Sequence, residues 1–485
     1  MARSRLEGLL ATIDVAVGDR ITSQVMRHHT NRLRRIGWEH ALDPPSGGWA
    51  SGVPPSRPGN ALEVLIDGAQ ALPLIASELE NARSHVHLAG WHFSPRFALV
   101  RSEEEVVLRD LLAGLAEHVD VRVLAWAGAP LPLFRPSRRD VREMQAELAR
   151  GSRIDCRLDS KERPLHCHHE KTIVIDDRVA FVGGIDLTDE SGDRFDTSEH
   201  PLRGTVGWHD ACARIEGPAV ADVADHFRMR WDEVADQTLP PPARSDPAGD
   251  VELQIVRTIP EGVYESEPRG DFRIVESYLR ALRSAERFVY LENQFLWSPE
   301  VAATLAHKLA SPPSEDFRML VVLPARPNTG ADDTRGVLAE LLAADAGAGR
   351  LLACALYARS GNRSSPVYVH AKLAIVDDRW LTLGSANLNE HSLFNDTELN
   401  LVTHDPRIVK EVRLRLWSEH LECPIDAIGG NPTDVIESLW RPIGREQRAR
   451  QERRSPLTHR LVELPGVSRR SSRLLGPLKG LLVDG

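Results

Sequence analysis

The sequence predicts an α/β fold of two similar lobes that pack face to face around one active site. Three observations support this prediction. The chain has 485 residues, which is more than a single typical core accommodates. The phrase H-x-K-x4-D occurs twice, at His169–Asp176 and at His370–Asp377, and helical and strand-like segments of matching character surround both copies. Such a repeat is typical of a duplicated α/β unit.

The elements of the first lobe follow from local patterning. Ala71–Arg83 is rich in Ala, Leu and Arg and predicts a helix, and the apolar segment Val86–Trp91 predicts a strand. The first H-x-K phrase opens a strand over Thr172–Ile175, which an Asp-Asp-Arg turn ends. A second short strand runs into Gly183-Gly184, and the helix that follows ends near Trp231.

The second lobe repeats this order. Phe272–Arg283 predicts a helix, and Val289–Gln294 predicts a strand. The second H-x-K phrase opens a strand over Leu373–Val376, and a short strand then reaches Gly384-Ser385. A helix that ends near Trp417 completes the match with the first lobe.

Segments rich in proline and glycine frame the lobes, at Pro44–Gly59 and at Leu239–Gly249. The predicted division is an N-terminal extension at 1–60, a first lobe at 61–240, a second lobe at 250–425 and a basic C-terminal tail at 426–485.

The predicted tail is basic, because residues 441–485 contain eleven Lys and Arg against four Asp and Glu. Arg445–Arg454 predicts a charged, solvated helix. Ser468–Leu482 mixes Arg with Leu, which fits either a segment docked on the protein or a basic amphipathic segment that contacts anionic lipid.

Composition and charge restrict the class of protein. With 42% hydrophobic and 27% charged residues, the chain can bury a sizeable core. A net charge of -10 argues against a stable nucleic-acid partner. The five cysteines are scattered, which favours buried thiols in a reducing compartment. No run approaches the ~20 apolar residues of a transmembrane segment, and Glu7 and Asp14 interrupt the region where a signal peptide is apolar. We therefore expect a cytoplasmic protein.

Each H-x-K phrase places an imidazole beside an ammonium group. Alternate side chains of a strand share a face, so His169 lies beside Lys171 and His370 beside Lys372. Only six of the 60 Lys and Arg residues are lysines, and two of these six stand in the phrases. Two imidazoles with two fixed positive charges fit displacement at a phosphodiester. One imidazole attacks phosphorus, the other protonates the leaving alkoxide, and the ammonium groups stabilise the negative oxygens. This chemistry requires no metal or cofactor.

Four acidic residues are candidates for supporting the histidines and lysines. Asp196 and Glu398 follow the two histidines at nearly equal offsets, 27 and 28 residues, which predicts that they orient the imidazole rings. Asp176 and Asp377 end the two phrases and are expected to hold the turn after each strand, with a link to a lysine as the alternative.

Polar and aromatic residues near the phrases are candidates for substrate binding. Trp91, Trp208 and Asn293 are expected to line the cleft between the lobes. Ser385 and Asn387 are expected to contact phosphate oxygens, and the alternative is that they cap a turn.

Two further polar groups receive a structural interpretation. His209 and Asp210 are expected to stabilise the lobe interface rather than to react. His166, Cys167 and His168 have no standard zinc-ligand spacing, and a strand would distribute them over two faces, so no metal site is predicted there.

The doubled H-x-K-x4-D phrase resembles the HKD motif that members of the phospholipase D superfamily carry twice. Over residues 60–425, four further phrases resemble motifs of phospholipases D proper. They are Gly183–Leu187 with Arg194–Thr197 (GGxDL…RWDT), Trp208–Asp210 with Glu216–Pro218 (WHD…EGP), Glu292–Phe295 (IENQFF) and Gly384–Asn389 (GSANLN). No region ahead of the first lobe resembles a C2, PX or PH domain, so a bacterial type of phospholipase D is the simpler interpretation.

The resemblance implies lobes of the phospholipase D sandwich type and a phosphohistidine intermediate. In that family scheme His169 is the nucleophile, and His370 is the general acid and later the base that activates water; the residues alone leave the order open. The implied substrate is a glycerophospholipid at a membrane surface, hydrolysed to phosphatidic acid and head group or transferred to an alcohol (transphosphatidylation). The implied location is the cytoplasm, with peripheral contact to the inner face of the membrane. A monomer suffices, since one chain holds both halves.

Three other functions would use or imitate the same residues. A cardiolipin synthase-like phosphatidyltransferase is the main alternative, although such enzymes commonly carry N-terminal membrane helices that this sequence does not show. A nuclease-type phosphodiesterase is disfavoured by the acidic lobes. A degenerate lipid-binding scaffold predicts a broken motif, whereas both phrases are intact.

Overall fold

The strands occupy the centre of the protein in the computed structural model, which describes residue 20 and residues 22–130, 135–164, 166–326 and 331–464. The strands are β1 (Arg57–Ile66), β2 (His85–Gly90), β3 (Ala98–Val100), β4 (Val106–Val107), β5 (Asp120–Trp126), β6 (Asp155–Asp159), β7 (Thr172–Ile175), β8 (Val179–Gly183), β9 (Trp208–His209), β10 (Ala211–Glu216), β11 (Val251–Ile259), β12 (Asp271–Phe272), β13 (Phe288–Glu292), β14 (Arg318–Val322), β15 (Leu351–Ser360), β16 (Arg363–Pro366), β17 (Tyr368–Val369), β18 (Leu373–Val376), β19 (Trp380–Gly384), β20 (Glu398–Thr403) and β21 (Leu461–Glu463).

Helices connect most of these strands and cover the sheets. They are α1 (22–36), α2 (Gly68–Glu80), α3 (Leu108–Leu115), α4 (Arg138–Ala149), α5 (Val220–Ala235), α6 (Arg273–Ser284), α7 (Pro299–Ala310), α8 (Ala331–Asp345), α9 (Pro406–Leu421), α10 (Pro432–Val435) and α11 (Arg441–Glu452). Short 3-10 turns stand at Glu39–Ala41 and Ile425–Ala427, and π-helical turns at His391–Asn395 and Ile436–Trp440.

Two mixed sheets repeat one strand order. The first sheet runs β1–β10–β8–β7–β2–β5–β6, and the second runs β11–β20–β19–β18–β13–β14–β15. In both sheets the first four pairings are antiparallel and the last two are parallel. An antiparallel pairing of β1 with β11 joins the sheets. The fold is therefore α/β and internally duplicated, as the sequence predicts.

Both faces of each sheet are buried. In β18, Leu373 and Ile375 belong to a core cluster that takes side chains from both sheets and from α5 and α9, whereas Ala374 belongs to a cluster beneath α6 and α7. In β7, Val174 joins the shared cluster and Ile173 a third cluster beneath α2, α3 and α4. Strands buried on both faces are continuously apolar, which explains the apolar runs in the sequence. The shared cluster holds the two halves together.

Described residues on either side of the predicted lobes pack onto the second half. In α1, Arg32 Nη2 donates to Glu261 Oε2 at 2.7 Å, and His29 Nδ1 lies 2.7 Å from Glu300 Oε1. In the predicted tail, β21 pairs with the edge strand β15, and Trp440 is fully buried in the shared cluster. Residues 426–464 are thus part of the second half rather than a tail, because their apolar residues complete its core. The segment Ser468–Leu482 lies outside the described residues.

Several expectations of local structure are confirmed. Strands begin directly after both H-x-K phrases, with the predicted bounds. Four of the five cysteines are buried, and Cys423 is partly exposed. No helix in the described ranges has both the length and the apolar character that crossing a membrane requires.

A buried ion-pair network fixes the first H-x-K phrase to α5. Glu170, between the histidine and the lysine, pairs with Arg230 Nη1 and lies 2.5 Å (Oε2) from His226 Nε2. Arg230 continues the network to Asp159 Oδ2 at 2.8 Å. Although burial raises the pKa of Glu170, Arg230 and His226 together lower it to about 2. The carboxylate therefore stays charged inside the core.

We expect Glu170→Gln to destabilise the protein by about 3–5 kcal/mol, because breaking one side of a buried ion pair leaves the partner's charge uncompensated. A carboxylate with a depressed pKa contributes stability that is complete above its unfolded pKa of about 4.3 and is lost as the pH falls towards its folded pKa. Urea unfolding of both proteins between pH about 7 and about 3 measures this. The wild type should lose stability on acidification more steeply than the variant, and equal slopes would contradict the role assigned to Glu170.

Candidate active site

The two H-x-K phrases meet at the junction of the halves, and each is held by the backbone of the other half. The His169 N–H donates to the Thr397 carbonyl at 2.9 Å, and the His370 N–H donates to the His209 carbonyl at 2.8 Å. The short strands β9 and β17, one from each half, pair in parallel beside the second contact. The sequence prediction that both phrases form one site thus corresponds to an observed juxtaposition.

Glu398 of the second half orients the imidazole of the first half. His169 Nδ1 lies 2.9 Å from Glu398 Oε1. The carboxylate also accepts hydrogen bonds from the hydroxyls of Ser385 and Ser392. Burial raises the pKa of Glu398, and the charge of Lys171 and the two hydroxyls oppose that rise. A carboxylate on Nδ1 leaves Nε2 as the nitrogen that can react.

Asp210 of the first half orients the imidazole of the second half. His370 Nδ1 lies 2.6 Å from Asp210 Oδ2, and the carboxylate also accepts the Ala211 N–H at 2.8 Å. Burial lowers the pKa of His370 well below the usual imidazole value, and the charges of Lys372 and Lys171 lower it further. Burial also raises the pKa of Asp210 to about 6. These effects favour the neutral form of the His370 imidazole.

Asp210 and Glu398 are equivalent residues of the duplicated fold. The residue opposite the last glycine of β8 is Cys212, and the residue opposite the last glycine of β19 is Asn400. Asp210 and Glu398 each precede these residues by two positions. The pairs are thus crossed: each half contributes one imidazole and the carboxylate for the other half's imidazole.

The prediction that Asp196 orients a catalytic ring is wrong. Its Oδ2 lies 3.0 Å from His200 Nδ1, and its Oδ1 accepts from Arg203 Nη2 at 2.9 Å. The matched offset misled because the connections differ in length: residues 184–210 connect β8 to β10, whereas only residues 385–397 connect β19 to β20. Asp196 lies within the longer connection.

The predicted phosphate contact of Ser385 is also revised. Its hydroxyl donates to Glu398 and accepts the Leu399 N–H at 3.1 Å, so its one proton is committed to the carboxylate. The equivalent residue in the first half is Gly184, and a Cβ there would overlap the Asp210 carboxylate. Gly184 therefore leaves room for the Asp210 carboxylate, whereas Ser385 donates a hydrogen bond to the Glu398 carboxylate.

Both lysines lie beside their own histidines. Lys171 Nζ donates to the His169 carbonyl at 2.7 Å and lies 3.3 Å from Asp186 Oδ2. Lys372 Nζ donates to the His370 carbonyl at 2.5 Å and to Gln294 Oε1 at 3.1 Å. Burial lowers the pKa of Lys372 to about 7. The first lysine therefore has a carboxylate beside it, whereas the second has an amide oxygen.

The aspartates that end the two phrases hold turns. Asp176 accepts the backbone N–H groups of residues 83–85, and Asp377 accepts those of residues 286–288. These N–H groups stand at the start of β2 and β13. The expectation that both aspartates hold the turn is confirmed, and the carboxylate beside Lys171 is Asp186 instead.

Trp208 lies beside the second imidazole. Its ring centroid is 4.4 Å from that of His370 and 4.8 Å from that of Tyr368, and its Nε1 donates to the Ser191 carbonyl at 3.3 Å. The Arg194 guanidinium stands 3.5 Å from the ring centroid. Arg194 is 3% exposed and its charge also lowers the pKa of His370. The Trp208 ring thus contacts both His370 and the guanidinium of Arg194, which adds a third positive charge near the site.

The other predicted substrate-binding residues hold loops. Trp91 packs beside Trp126 and Cys167. Asn293 Oδ1 accepts the Leu388 N–H at 3.1 Å. Asn387 Nδ2 donates to Gln294 Oε1 at 3.3 Å. The same glutamine accepts from Lys372, so Asn387 lies next to the site, and the substrate contacts of all three residues stay predictions.

Sequence reasoning did not name as site residues Asp186, Arg194 or Gln294, whose side chains contact Lys171, Trp208 and Lys372. It assigned Asp210 to the lobe interface and missed its contact with the His370 ring. These residues stand inside the phrases that resemble phospholipase D motifs, so the phrases were the available signal. Alignment of the two halves on the end of β8 and of β19, rather than on distance from the histidines, would have identified Asp210.

The arrangement fits covalent catalysis at a phosphodiester. Two imidazoles have Nδ1 occupied by carboxylates, so that both Nε2 atoms are available for nucleophilic attack or proton transfer. Lys171, Lys372 and Arg194 supply positive charge in a buried setting, where it stabilises developing negative oxygens more strongly than in water.

Comparison with known proteins matches the site and the fold. A family model described as Phospholipase D matches residues 78–207 and 349–436, which include both H-x-K phrases. Phospholipase D A of Dictyostelium discoideum is 26% identical over 76% of this chain and 36% of its own length. Phospholipase D alpha 4 of Arabidopsis thaliana is 26% identical over 70% of this chain and 62% of its own length. This chain therefore spans less than two thirds of either relative.

Other relatives carry different names. The major cardiolipin synthase of Bacillus subtilis is 24% identical over 73% of this chain and 67% of its own length. The crystal structure of a phosphatidylserine synthase from Haemophilus influenzae superposes with a TM-score of 0.50 at 13% identity, covering 73% of this chain and 84% of that chain. At this identity the superposition shows a shared fold.

We expect Asp210→Asn and Glu398→Gln each to lower kcat by about 10²–10⁴-fold with little change in KM, because each replaces the carboxylate acceptor on Nδ1 by an amide that can donate and so favours the wrong imidazole tautomer. Asp196→Asn, which removes no such acceptor, should cause a far smaller loss. Steady-state kinetics with an aryl phosphodiester measure all three variants. A loss for Asp196→Asn equal to that for Asp210→Asn would contradict the assignment.

We expect affinity for a dialkyl phosphodiester to fall about tenfold or more as the pH rises through about 7, because Lys372 loses its proton there. A hydrogen bond to a charged group is worth about 1.5–3 kcal/mol, and the ligand loses that bond. The ligand keeps one negative charge over this pH range, so a change in affinity reflects the titration of a group on the protein. Calorimetric titrations at several pH values measure it. Lys372→Gln should bind weakly and without this pH dependence, and an unchanged profile in the variant would assign the titration to another group.

Proposed function

This chain belongs to the phospholipase D superfamily, and from that premise we propose that it hydrolyses glycerophospholipids to phosphatidic acid and a free head group. The observation that carries the proposal is the crossed pair of histidine–carboxylate contacts, His169 with Glu398 and His370 with Asp210. Two oriented imidazoles with adjacent lysines are the groups that a two-step displacement at phosphorus needs.

In the first step His169 Nε2 attacks phosphorus and forms a P–N bond. The bond from phosphorus to the head-group oxygen breaks, and His370 Nε2 gives its proton to that oxygen. Lys171 and Lys372 stabilise the negative oxygens of the pentacoordinate state. Glu398 stabilises the positive charge that develops on the His169 ring.

In the second step water attacks the phosphohistidine. His370 Nε2 takes the proton from water, the P–N bond breaks, and phosphatidic acid leaves with His169 neutral again. An alcohol in place of water gives a phosphatidyl alcohol by the same route, so transphosphatidylation is part of the proposal. The assignment of nucleophile and acid follows the superfamily resemblance.

The electrostatics of the site support substrate-assisted protonation of the acid. Without an anion, burial and then the charges of Lys372 and Lys171 keep the pKa of His370 low. A bound phosphodiester brings a negative charge that offsets these cations and raises that pKa. His370 is therefore able to act as an acid mainly in the complex with substrate.

The alternative is a cardiolipin synthase-like phosphatidyltransferase. The similarity to the major cardiolipin synthase of Bacillus subtilis over 73% of this chain favours it. The same phosphohistidine would then react with the hydroxyl of a second lipid. Both functions place the protein at a phospholipid surface, and we propose peripheral attachment at the cytoplasmic face of a membrane, with one chain supplying the whole site.

The test is incubation of the protein with phosphatidylcholine and phosphatidylglycerol vesicles and a small amount of ethanol. We expect phosphatidic acid and phosphatidylethanol from the wild type and neither from His169→Ala, because the variant cannot form the P–N bond. Lipid products are separated and quantified by mass spectrometry.

The controls separate the candidates. Asp196→Asn, which does not contact a reacting ring, should retain both products. Cardiolipin formed from phosphatidylglycerol would favour the synthase. Intact lipids under conditions where an aryl phosphodiester is cleaved would overturn the lipid assignment and leave a phosphodiesterase of another substrate class.

A further inference from the structure

A second group of buried acids and imidazoles lies behind His370, at the junction of the halves. We call it the junction cluster; its members are Asp67, His200, His209 and Glu419, and one ligand-type atom of each lies within 4.8 Å of those of the others. The first three belong to the first half, and Glu419 belongs to α9 of the second half. Their side chains are at most 5% exposed.

Hydrogen bonding within the junction cluster is incomplete: His209 Nδ1 lies at hydrogen-bond distance from Asp67 Oδ1, 2.9 Å, but other polar atoms of the cluster have no such partner. Glu419 Oε1 lies 3.1 Å from His200 Nε2 and 3.3 Å from His209 Nδ1, and it forms a hydrogen bond with neither. His200 Nε2 and Asp67 Oδ2 also lack a hydrogen-bond partner within the described part of the chain. Buried polar atoms are almost always hydrogen-bonded, so three atoms without a hydrogen bond in one buried cluster are candidates to bind a shared ligand.

The remaining ring nitrogens are held from outside the cluster. His200 Nδ1 lies 3.0 Å from Asp196 Oδ2, and His209 Nε2 lies 2.9 Å from Glu292 Oε2. Each imidazole thus has a carboxylate behind it and one nitrogen towards the cluster. This is the arrangement in which proteins fix the tautomer of a metal-binding histidine.

We propose that the junction cluster binds one structural Zn²⁺ ion. Zn²⁺ bonds nitrogen and carboxylate oxygen at about 2.0–2.2 Å in a tetrahedron, which sets neighbouring ligand atoms about 3.3–3.5 Å apart. His200 Nε2 and His209 Nδ1 lie 3.1 and 3.3 Å from Glu419 Oε1, close to that spacing. Asp67 Oδ1 lies 2.9 Å from His209 Nδ1, a hydrogen-bond distance that coordination of the ion would replace. Four protein ligands close the coordination sphere, which is typical of a structural site.

The ion would fix the part of the first half that orients the second imidazole. The Asp67 carboxylate accepts the Asp210 N–H at 3.1 Å, and the Asp67 N–H donates to the Asp210 carbonyl at 2.8 Å. The His209 carbonyl accepts the His370 N–H. Zn²⁺ would therefore link α9 to the segment that holds both Asp210 and His370. This inference does not depend on the substrate of the active site.

The test is the zinc content of the full-length protein, measured by inductively coupled plasma mass spectrometry after incubation with Zn²⁺ and dialysis into metal-free buffer. We expect about one zinc ion per chain in the wild type. The double variant His200→Gln/Glu419→Gln should retain almost none. The matched control is His391→Gln, which alters a group of three potential ligands (His166, His391 and Asp396) and should retain the full zinc content.

The His169→Ala variant should also retain its zinc, so that a failure of the catalytic proposal and a failure of this one are distinguishable. If the double variant does not fold, X-ray absorption at the zinc edge of the wild type gives the answer. Nitrogen and oxygen ligands with outer-shell scattering from two imidazoles support the proposal. Wild type without zinc, sulfur ligands from the cysteines, or zinc lost only in His391→Gln would overturn it.

Discussion

The crossed pairing of imidazole and carboxylate is the constraint on which the rest of the protein depends. His169 uses Glu398, and His370 uses Asp210, so neither half contains a working set of groups. The halves must therefore be held in register to within a hydrogen-bond length. The pairing of β1 with β11, the shared apolar cluster and the backbone contacts of the H-x-K phrases all serve this requirement. Duplication alone would give two similar lobes; the exchange of carboxylates makes them one site.

Burial of the site controls the protonation of His370. Three cations stand close to an imidazole that is itself buried, an arrangement that opposes protonation until an anion arrives. The carboxylates nearby limit the excess positive charge. Asp186 lies beside Lys171, and the negative charge of Asp210 raises the pKa of Lys372 against the effect of burial. These carboxylates therefore offset part of the positive charge that surrounds the His370 ring.

Much of the fold could be predicted from the sequence, because repeated apolar strands and the H-x-K phrases report local structure directly. The strands after His169 and His370 have the predicted bounds. The contacts within the site were harder to predict than the fold, because contacts between the two halves depend on the lengths of the connecting loops. The longer connection from β8 to β10 carried Asp196 away from the ring that its offset suggested. The folding of residues 426–464 also went unpredicted, since basic surface residues in α11 concealed the buried face of the segment.

The pairing of β21 with β15 has a consequence for solubility. The corresponding edge strand of the first sheet, β6, alternates charged and apolar residues (DCRLD), and charges on an edge discourage other chains from adding to it. β15 begins LLACAL and has no such charges in that stretch, so its open edge would be a template for strand addition between molecules. By covering that edge, β21 protects the protein against self-association. Strand β21 therefore limits aggregation in addition to completing the core.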